Sequence, residues 1–375
     1  MKVLHVGSGN LYGGVETLLV TLARLRYLCP KMRPHFALCF EGRLSQELMA
    51  AGVQVHLMGR VRTSRPWTVW RARRRFRELL DTERFDVVIC HTTWPLAVFG
   101  PVARCQNAKL VFWAHGAMTG KHWLERWATR GHPALAISNS HFTARSVHKI
   151  LPDIPVEILY CPVEMNDGRL DENERAALRE QLGASPETVV IIQVSRIEPG
   201  KGHLAHLRAL SLLSDVPNWK CWMVGGAQRR SEQRLLEELE HVAADLGIAG
   251  RVQFLGHRSD VPRLLSAADV FCQPNTGAEG FGLAFVEALH AALPVLTTAI
   301  GGAKEIVTEE CGSLVMPDHP QDLAKALRRL IEDAGTRRQL GTAGPARAKQ
   351  LCDPENQMSK LFSLLNPPYL PDVKP

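Results

Sequence analysis

The 375-residue chain has no C-x-x-C pair and no H-E-x-x-H motif, so neither a zinc ribbon nor a zinc protease is written in it. Its nine cysteines are odd in number and scattered. Cys39, Cys90 and Cys272 end short apolar runs and read as small core residues, which predicts a reducing, cytoplasmic setting rather than a disulfide scaffold. No run approaches the roughly 18 apolar residues that span a bilayer. Met1–Val6 is too short an apolar run for a signal peptide and passes directly into glycines. Aromatic residues make up only 6%, and no short-period repeat or low-complexity segment is visible. The tail at 367–375 alone is Pro-rich, and is expected to be loose.

What is present is enough for a real core. Hydrophobic residues are 45%, charged residues 22%, and the mean hydropathy is −0.09, which excludes disorder as the main state and suits two domains. The net charge of +7 is divided unevenly. Residues 1–160 carry 22 basic and 10 acidic side chains, and the remainder 23 and 28. One half is basic and the other mildly acidic.

Short β-rich runs alternate with helix-length segments. In the first half the strands are Val3–Val6, Phe36–Phe40, Gln54–Met58, Asp86–His91, Leu110–His115, Ala134–Ser138 and Val156–Leu159. Helices are expected at Glu16–Leu28, Ser45–Ala51 and Trp67–Leu80. The pattern breaks at the polar stretch around residues 160–169. It restarts with a charged helix, Asp171–Leu182, and strands Val189–Val194, Lys220–Val224, Val252–Leu255, Val270–Gln273, Val295–Thr298 and Ser313–Val315. Alternation of this kind means parallel β-α-β units, hence an α/β chain with two Rossmann-like, doubly wound domains.

The most informative run is Gln273–Leu289, QPNTGAEGFGLAFVEAL. A strand ends at Gln273, the chain turns through Pro274–Gly277, and a helix opens near Gly282 and stops before Pro294. Glycines at a helix start let a ligand approach the backbone, and the free N–H groups of the first turn suit an anion, above all a diphosphate. Glu279 lies in the loop and Glu287 on the second helical turn, where each carboxylate can accept a pair of hydroxyls. Either glutamate alone reads better as a cap or a solvated helix residue; the whole string does not.

That string resembles the donor-binding motif of retaining glycosyltransferase family 4, E-G-F-G-x-x-x-x-E-A. Val194–Gly202, VSRIEPGKG, is similar to the family's G-R-L-x-x-x-K-G. Phe254–His257, Ala268–Phe271, Pro294-Val295 and Gly301-Gly302-x-x-Glu305-Ile306 follow in the family's order. The resemblance is nearly continuous from Val189 to Pro317. It extends into the first half through Gly13-Gly14-Val15-Glu16, His115-Gly116 and Ile137–Ser140.

The resemblance implies a GT-B architecture (glycosyltransferase group 1), two Rossmann-like domains facing across a cleft. Residues 1–165 would bind the acceptor and 166–355 the nucleotide sugar, with residues 356–375 forming a C-terminal helix and tail that pack back on the first domain. The implied activity is retaining transfer of a hexose-type sugar from a UDP- or GDP-sugar to a glycan, lipid-linked or small-molecule acceptor. No cofactor or metal is implied, and the chain has no D-x-D motif. Glu279 would hold hydroxyls of the donor sugar, and Glu287 those of the ribose. Arg196 and Lys201 would neutralise the diphosphate as charge accumulates there. The backbone of Gly280, Phe281, Gly282 and Leu283 would contact phosphate and sugar, and Gly256 and His257, within Leu255–Arg258, would lie along the base. Gly13 and Gly14 would approach the donor phosphates, and His115 the donor sugar or incoming acceptor hydroxyl. No protein base is called for, because with retention the leaving diphosphate takes the acceptor proton on the same face.

The loop Gly7–Gly14 follows a strand, but Tyr12 stands where a dinucleotide fingerprint needs its third glycine, and Arg26–Lys31 holds no acid for an adenine ribose. Glu16 suits a helix start for the macrodipole alone. His91 is a candidate for lining the acceptor side, and His5 reads as core. Arg60–Arg77 carries eight Arg, no acid, and Trp67 and Trp70. One reading buries Trp67, Trp70 and Phe76 beneath a solvated basic face; the other docks the helix on an anionic membrane or draws in an anionic acceptor. Nucleic acid is not expected, since no reader motif accompanies the charge. Departures from the family are the loop Pro274–Glu279, one residue longer than usual, Ala292 for a glycine, and Tyr160–Glu164 at the interdomain crossing; they bear on sugar identity. The functional rivals are a nucleotide-sugar epimerase or hydrolase, and a non-catalytic glycan- or membrane-binding relative.

Overall fold

The computed structural model describes residues 1–164 and 168–366; the crossing at residues 165–167 and the tail at residues 367–375 lie outside them. The chain divides into two compact units, Met1–Glu164 with Cys352–Pro375, and Met165–Leu351.

In the first unit β1 (Lys2–Gly7), α1 (Gly14–Arg24), β2 (Arg33–Leu38), α2 (Arg43–Ala50) and β3 (Gln54–Leu57) lead into α3 (Pro66–Glu83). Then come β4 (Val87–His91), α4 (Thr93–Arg104), β5 (Lys109–Ala114), α5 (Trp123–Ala128), β6 (Leu135–Ser138), α6 (His141–Ile150) and β7 (Val156–Ile158). The strands form one parallel sheet in the order β3-β2-β1-β4-β5-β6-β7, whose direction of winding reverses between β1 and β4. Residues 25–28, expected to prolong the first helix, tighten into a 3-10 turn. Leu4, Val6, Val88, Cys90 and Phe112 belong to one core cluster, and Leu19, Leu48, Phe36 and Leu38 to another. This is the period-2 arithmetic of a sheet covered on both sides.

Helix α3 settles the reading of its tryptophans. Val69, Ala72, Phe76 and Leu80 are its buried stripe, while Trp67 and Trp70 are 61% and 65% exposed. The expectation that both join Phe76 in the core therefore fails. Trp70 follows Val69 by one residue, about 100° around the helix, so burying one turns the other outward.

In the second unit α7 (Glu172–Gln181), β8 (Val189–Val194), α8 (His203–Ser211), β9 (Trp219–Val224), α9 (Arg230–Asp245) and β10 (Val252–Gly256) come first. They are followed by α10 (Val261–Ala267), β11 (Val270–Gln273), α11 (Leu283–His290), β12 (Val295–Thr298), α12 (Ala303–Ile306) and β13 (Gly312–Val315). Helices α13 (Pro320–Glu332) and α14 (Ala334–Cys352) complete the unit, and α15 (Pro354–Leu365) belongs to the first. The sheet is again parallel, β10-β9-β8-β11-β12-β13, reversing between β8 and β11. Asp269 pins that reversal. Its carboxylate takes Arg179 at 2.9 Å and Arg175 at 2.8 Å and accepts from the Val190 backbone N–H at 2.7 Å.

Candidate active site

Open parallel sheets present ligands with a crevice beyond the carboxyl ends of their strands, at the point of reversal. In the second unit the loops leaving β8 and β11 meet there. Gly202, at φ +75°, lies so close that a Cβ would stand 1.7 Å from the Pro274 carbonyl oxygen. The N–H groups of Thr276 and Gly277 both donate to Gly200 O at 3.0 Å. Stitched in this way, the two loops bring Lys201 Nζ to 2.6 Å from Glu279 Oε1. A second brace comes from the turn after β12. Gly302 N–H donates to Glu279 O at 2.9 Å, and a Cβ on Gly301 (φ +62°) would sit 2.4 Å from that same oxygen.

Glu279 is held at both oxygens. Oε2 accepts from Asn275 Nδ2 at 3.0 Å and Gln273 Nε2 at 3.3 Å, while Oε1 takes the lysine. Three of about four acceptor positions on the carboxylate are thus filled, leaving room for one hydroxyl; a second would need one of these bonds to release. Thr297 and Thr298 of β12 donate to the Gln273 and Asn275 carbonyls at 2.7 and 2.6 Å, fixing the turn that carries both.

Lys201 has its own support. Buried Gln193 donates Nε2–H to Lys201 O at 2.9 Å, and its Oε1 lies 2.8 Å from His206 Nδ1. His206 is fully buried, and burial depresses its pKa to about 3. It is therefore neutral, and Nδ1 is the nitrogen that carries the proton to the amide oxygen. Arg196 pairs through Nη2 with Glu198 Oε1 at 2.7 Å, and its buried Nη1 has no hydrogen-bond partner among the described residues. Buried polar atoms are seldom left unpaired, so Nη1 is a donor available to a ligand.

Of the other residues singled out, Gly282 caps α11, so Leu283 begins its first turn next to Gly280 and Phe281. Glu287 follows on that helix, half-buried, with its carboxyl pushed above the ordinary range by desolvation. Gly256 and His257 leave β10 beside the β9 loop: Gly225 N–H donates to Gly256 O at 2.8 Å, and Gly226 packs on His257.

The first unit brings its own candidates to the matching reversal between β1 and β4. Gly13 caps α1 and donates its N–H to Glu16 Oε2 at 3.0 Å, the return half of a capping box, since glycine has no side chain to complete it. His115, one residue beyond β5, is half-buried and has its Nε2 2.9 Å from His91 Nδ1. His91, expected to line the acceptor side, is instead buried and reaches onward to His5. Sequence reasoning missed Gln193, His206, Gln273 and Asn275; a polar residue within or ending an apolar strand was the available signal for Gln193 and Gln273, while His206 on α8 and Asn275 in the loop after β11 gave none.

The chain matches two family models. Residues 174–347 match glycosyl transferases group 1, and residues 12–167 match glycosyltransferase family 4. A mannosyltransferase of Mycolicibacterium smegmatis, GDP-mannose-dependent alpha-(1-6)-phosphatidylinositol monomannoside mannosyltransferase, is 30% identical over 287 residues, 72% of this chain and 73% of that one. A D-inositol 3-phosphate glycosyltransferase of Geodermatophilus obscurus is 33% identical over 279 residues, 72% of this chain and 58% of its own. The crystal structure of Anabaena HepE in complex with UDP-glucose superposes with a TM-score of 0.86 at 25% identity, over 97% of this chain and 99% of that one. The chain belongs to the group 1, family 4 glycosyltransferases of GT-B fold.

Proposed function

We propose that this glycosyltransferase moves a hexose with retention from a nucleoside-diphosphate sugar to an anionic, glycan or lipid-linked acceptor, without a metal ion. The observation that carries the reading is the Lys201–Glu279 pair at the sheet reversal of the second unit, beside the unpaired nitrogen of Arg196. An ammonium has three donors and Glu279 uses one, so two remain for phosphate oxygens. As the anomeric bond breaks, negative charge gathers on the leaving diphosphate, and Lys201 and Arg196 stabilise it without reorganising. The N–H groups at the start of α11 add their dipole. Glu279 takes one sugar hydroxyl, and Glu287 the ribose hydroxyls. The same diphosphate accepts the proton of the incoming hydroxyl, so no protein base is required.

The acceptor belongs to the first unit on this reading, with Gly13 and Gly14 approaching the phosphates and His115 the sugar. The names of both relatives specify inositol carrying phosphate, which fits a basic half. Exposed Trp67 and Trp70 beside exposed Arg71 and Arg74 suit peripheral docking on an anionic, headgroup-rich surface. No helix among the described residues is long and apolar enough to cross a membrane.

Thermal shifts with UDP-, GDP- and ADP-sugars are the first test, since a ligand that binds only the native state raises Tm. A shift with one nucleotide series, lost in Lys201→Ala, is expected; no shift with any would remove the donor assignment. Incubation with donor alone separates the rivals, because an epimerase or hydrolase turns over without acceptor and a transferase does so only slowly.

A further inference from the structure

Three imidazoles connect the interior of the first unit to its candidate site. His5 Nδ1 lies 2.9 Å from His91 Nε2, and His91 Nδ1 lies 2.9 Å from His115 Nε2. The rings stack at centroid separations of 5.2 Å in both steps, and Trp113 stacks on His91 and His115. Strand register produces this ladder. His5 pairs with Ile89 and His91 with Trp113. Each next histidine is therefore one strand over and two residues further, which keeps all three on one face. His115 is fixed at its backbone too, where Asn139 Nδ2 donates to its carbonyl at 3.0 Å.

A neutral imidazole carries one N–H, so a series of three joined by two hydrogen bonds has only two consistent states. Either every ring is protonated at Nδ1 or every ring at Nε2. The second state strands an N–H on His5 Nε2, a buried atom without a partner among the described residues. The first leaves only a bare acceptor there. Orphaned buried donors are the rarer of the two. We infer that His5 and His91 are positioning residues that lock His115 in the Nδ1–H form, so that it meets substrate as a hydrogen-bond donor to an oxygen and not as a proton acceptor. Burial agrees, since it depresses His5 and His115 to about 3 and His91 well below its usual value. The inference rests on the reading of His115 as a substrate contact, but the lock itself does not.

The tautomers are read without substrate, by long-range proton–nitrogen correlation on the 15N-labelled full chain, with His115 assigned from a His115→Asn sample. All three rings are expected as Nδ1–H at neutral pH, against the Nε2–H form that a free imidazole prefers. A His115 signal of the Nε2–H form overturns the lock. His91→Leu should release His115 to the Nε2–H form and lower kcat/KM about tenfold, the effect of one misdirected hydrogen bond. His91→Asn, whose amide stands where Nδ1 stood and can still donate to His115 Nε2, should restore both signals. A His91→Leu enzyme that changes tautomer yet keeps wild-type kcat/KM overturns the positioning role. Should the transferase reading itself be wrong, the wild-type chain turns over no nucleotide sugar, and the resonances still decide the lock.

Discussion

Replacing Lys201 with alanine separates its electrostatic role from its structural one. The partners are 2.6 Å apart and 23% and 22% exposed, a setting between a surface and a buried ion pair. Two unit charges at 4 Å attract by about 4 kcal/mol at an effective dielectric of 20. Desolvation offsets much of that, and Glu279 Oε2 keeps Asn275 and Gln273, so the net stability loss should be about 1–2 kcal/mol. At roughly 2–4 °C per kcal/mol for a domain of this size, Tm falls by about 2–8 °C. Turnover should suffer far more. Removing one preorganised donor from a developing anion costs about 10²–10³ in kcat. The double variant Lys201→Ala/Glu279→Gln removes both charges while the amide oxygen can still accept from Asn275 and Gln273, so its Tm should return most of the way while turnover stays down. Steady-state transfer and calorimetry on the wild type and both variants read both effects. Single-variant turnover within fivefold of wild type, or recovery of activity in the double variant, refutes the argument.

Gly202→Ala is expected to destabilise the second unit by at least about 2–4 kcal/mol, because the new methyl would meet the Pro274 carbonyl at a left-handed residue; denaturant unfolding measures it. The buried neutral histidines fix the acid limb of stability. His5, His115 and His206 are depressed to about 3 and His203 to about 4, so between there and about 6.5 the unfolded chain binds protons that the folded one does not. Their contribution is complete above pH 6.5 and is lost as pH falls, by up to about 1.4 kcal/mol per pH unit for each group. Tm against pH should turn down just below 6.5, and less steeply in His5→Phe. Trp67→Ala/Trp70→Ala should leave Tm within about 2 °C, since both rings are mostly exposed, yet reduce co-sedimentation with anionic vesicles; unchanged sedimentation argues against docking through α3.

The strands of both sheets were legible because parallel strands buried on two faces read as continuous apolar runs. Helix α4 was not, because eight of its twelve residues are buried and it shows no amphipathic stripe to find. Lys201 and Glu279 were legible as motif members, but their contact was not, since it depends on Gly202 meeting Pro274 across the sheet reversal. The roles of Gln193 and His206 were hidden for a related reason: Gln193 holds the backbone of Lys201 from inside the core, and His206 holds Gln193. The histidine ladder is the extreme case. Its members are 86 and 24 residues apart in sequence, and only strand register aligns them.

Geometry also changes what the uneven charge means. In the acidic unit the two cations assigned to the diphosphate are each held by a neighbouring acid, Arg196 by Glu198 and Lys201 by Glu279. Their local charge is nearly cancelled until a ligand arrives. Such pairs orient donors but draw little from a distance, because opposite charges so close leave a weak far field. In the basic unit Arg74 pairs with Glu78, whereas Arg60, Arg62, Arg65, Arg71 and Arg77 make no ion pair among the described residues. Unpaired charges set the field over a Debye length of about 8–10 Å and beyond at low salt. On the proposed function the donor site therefore works by short-range positioning, and the long-range attraction comes from the half proposed to receive an anionic acceptor.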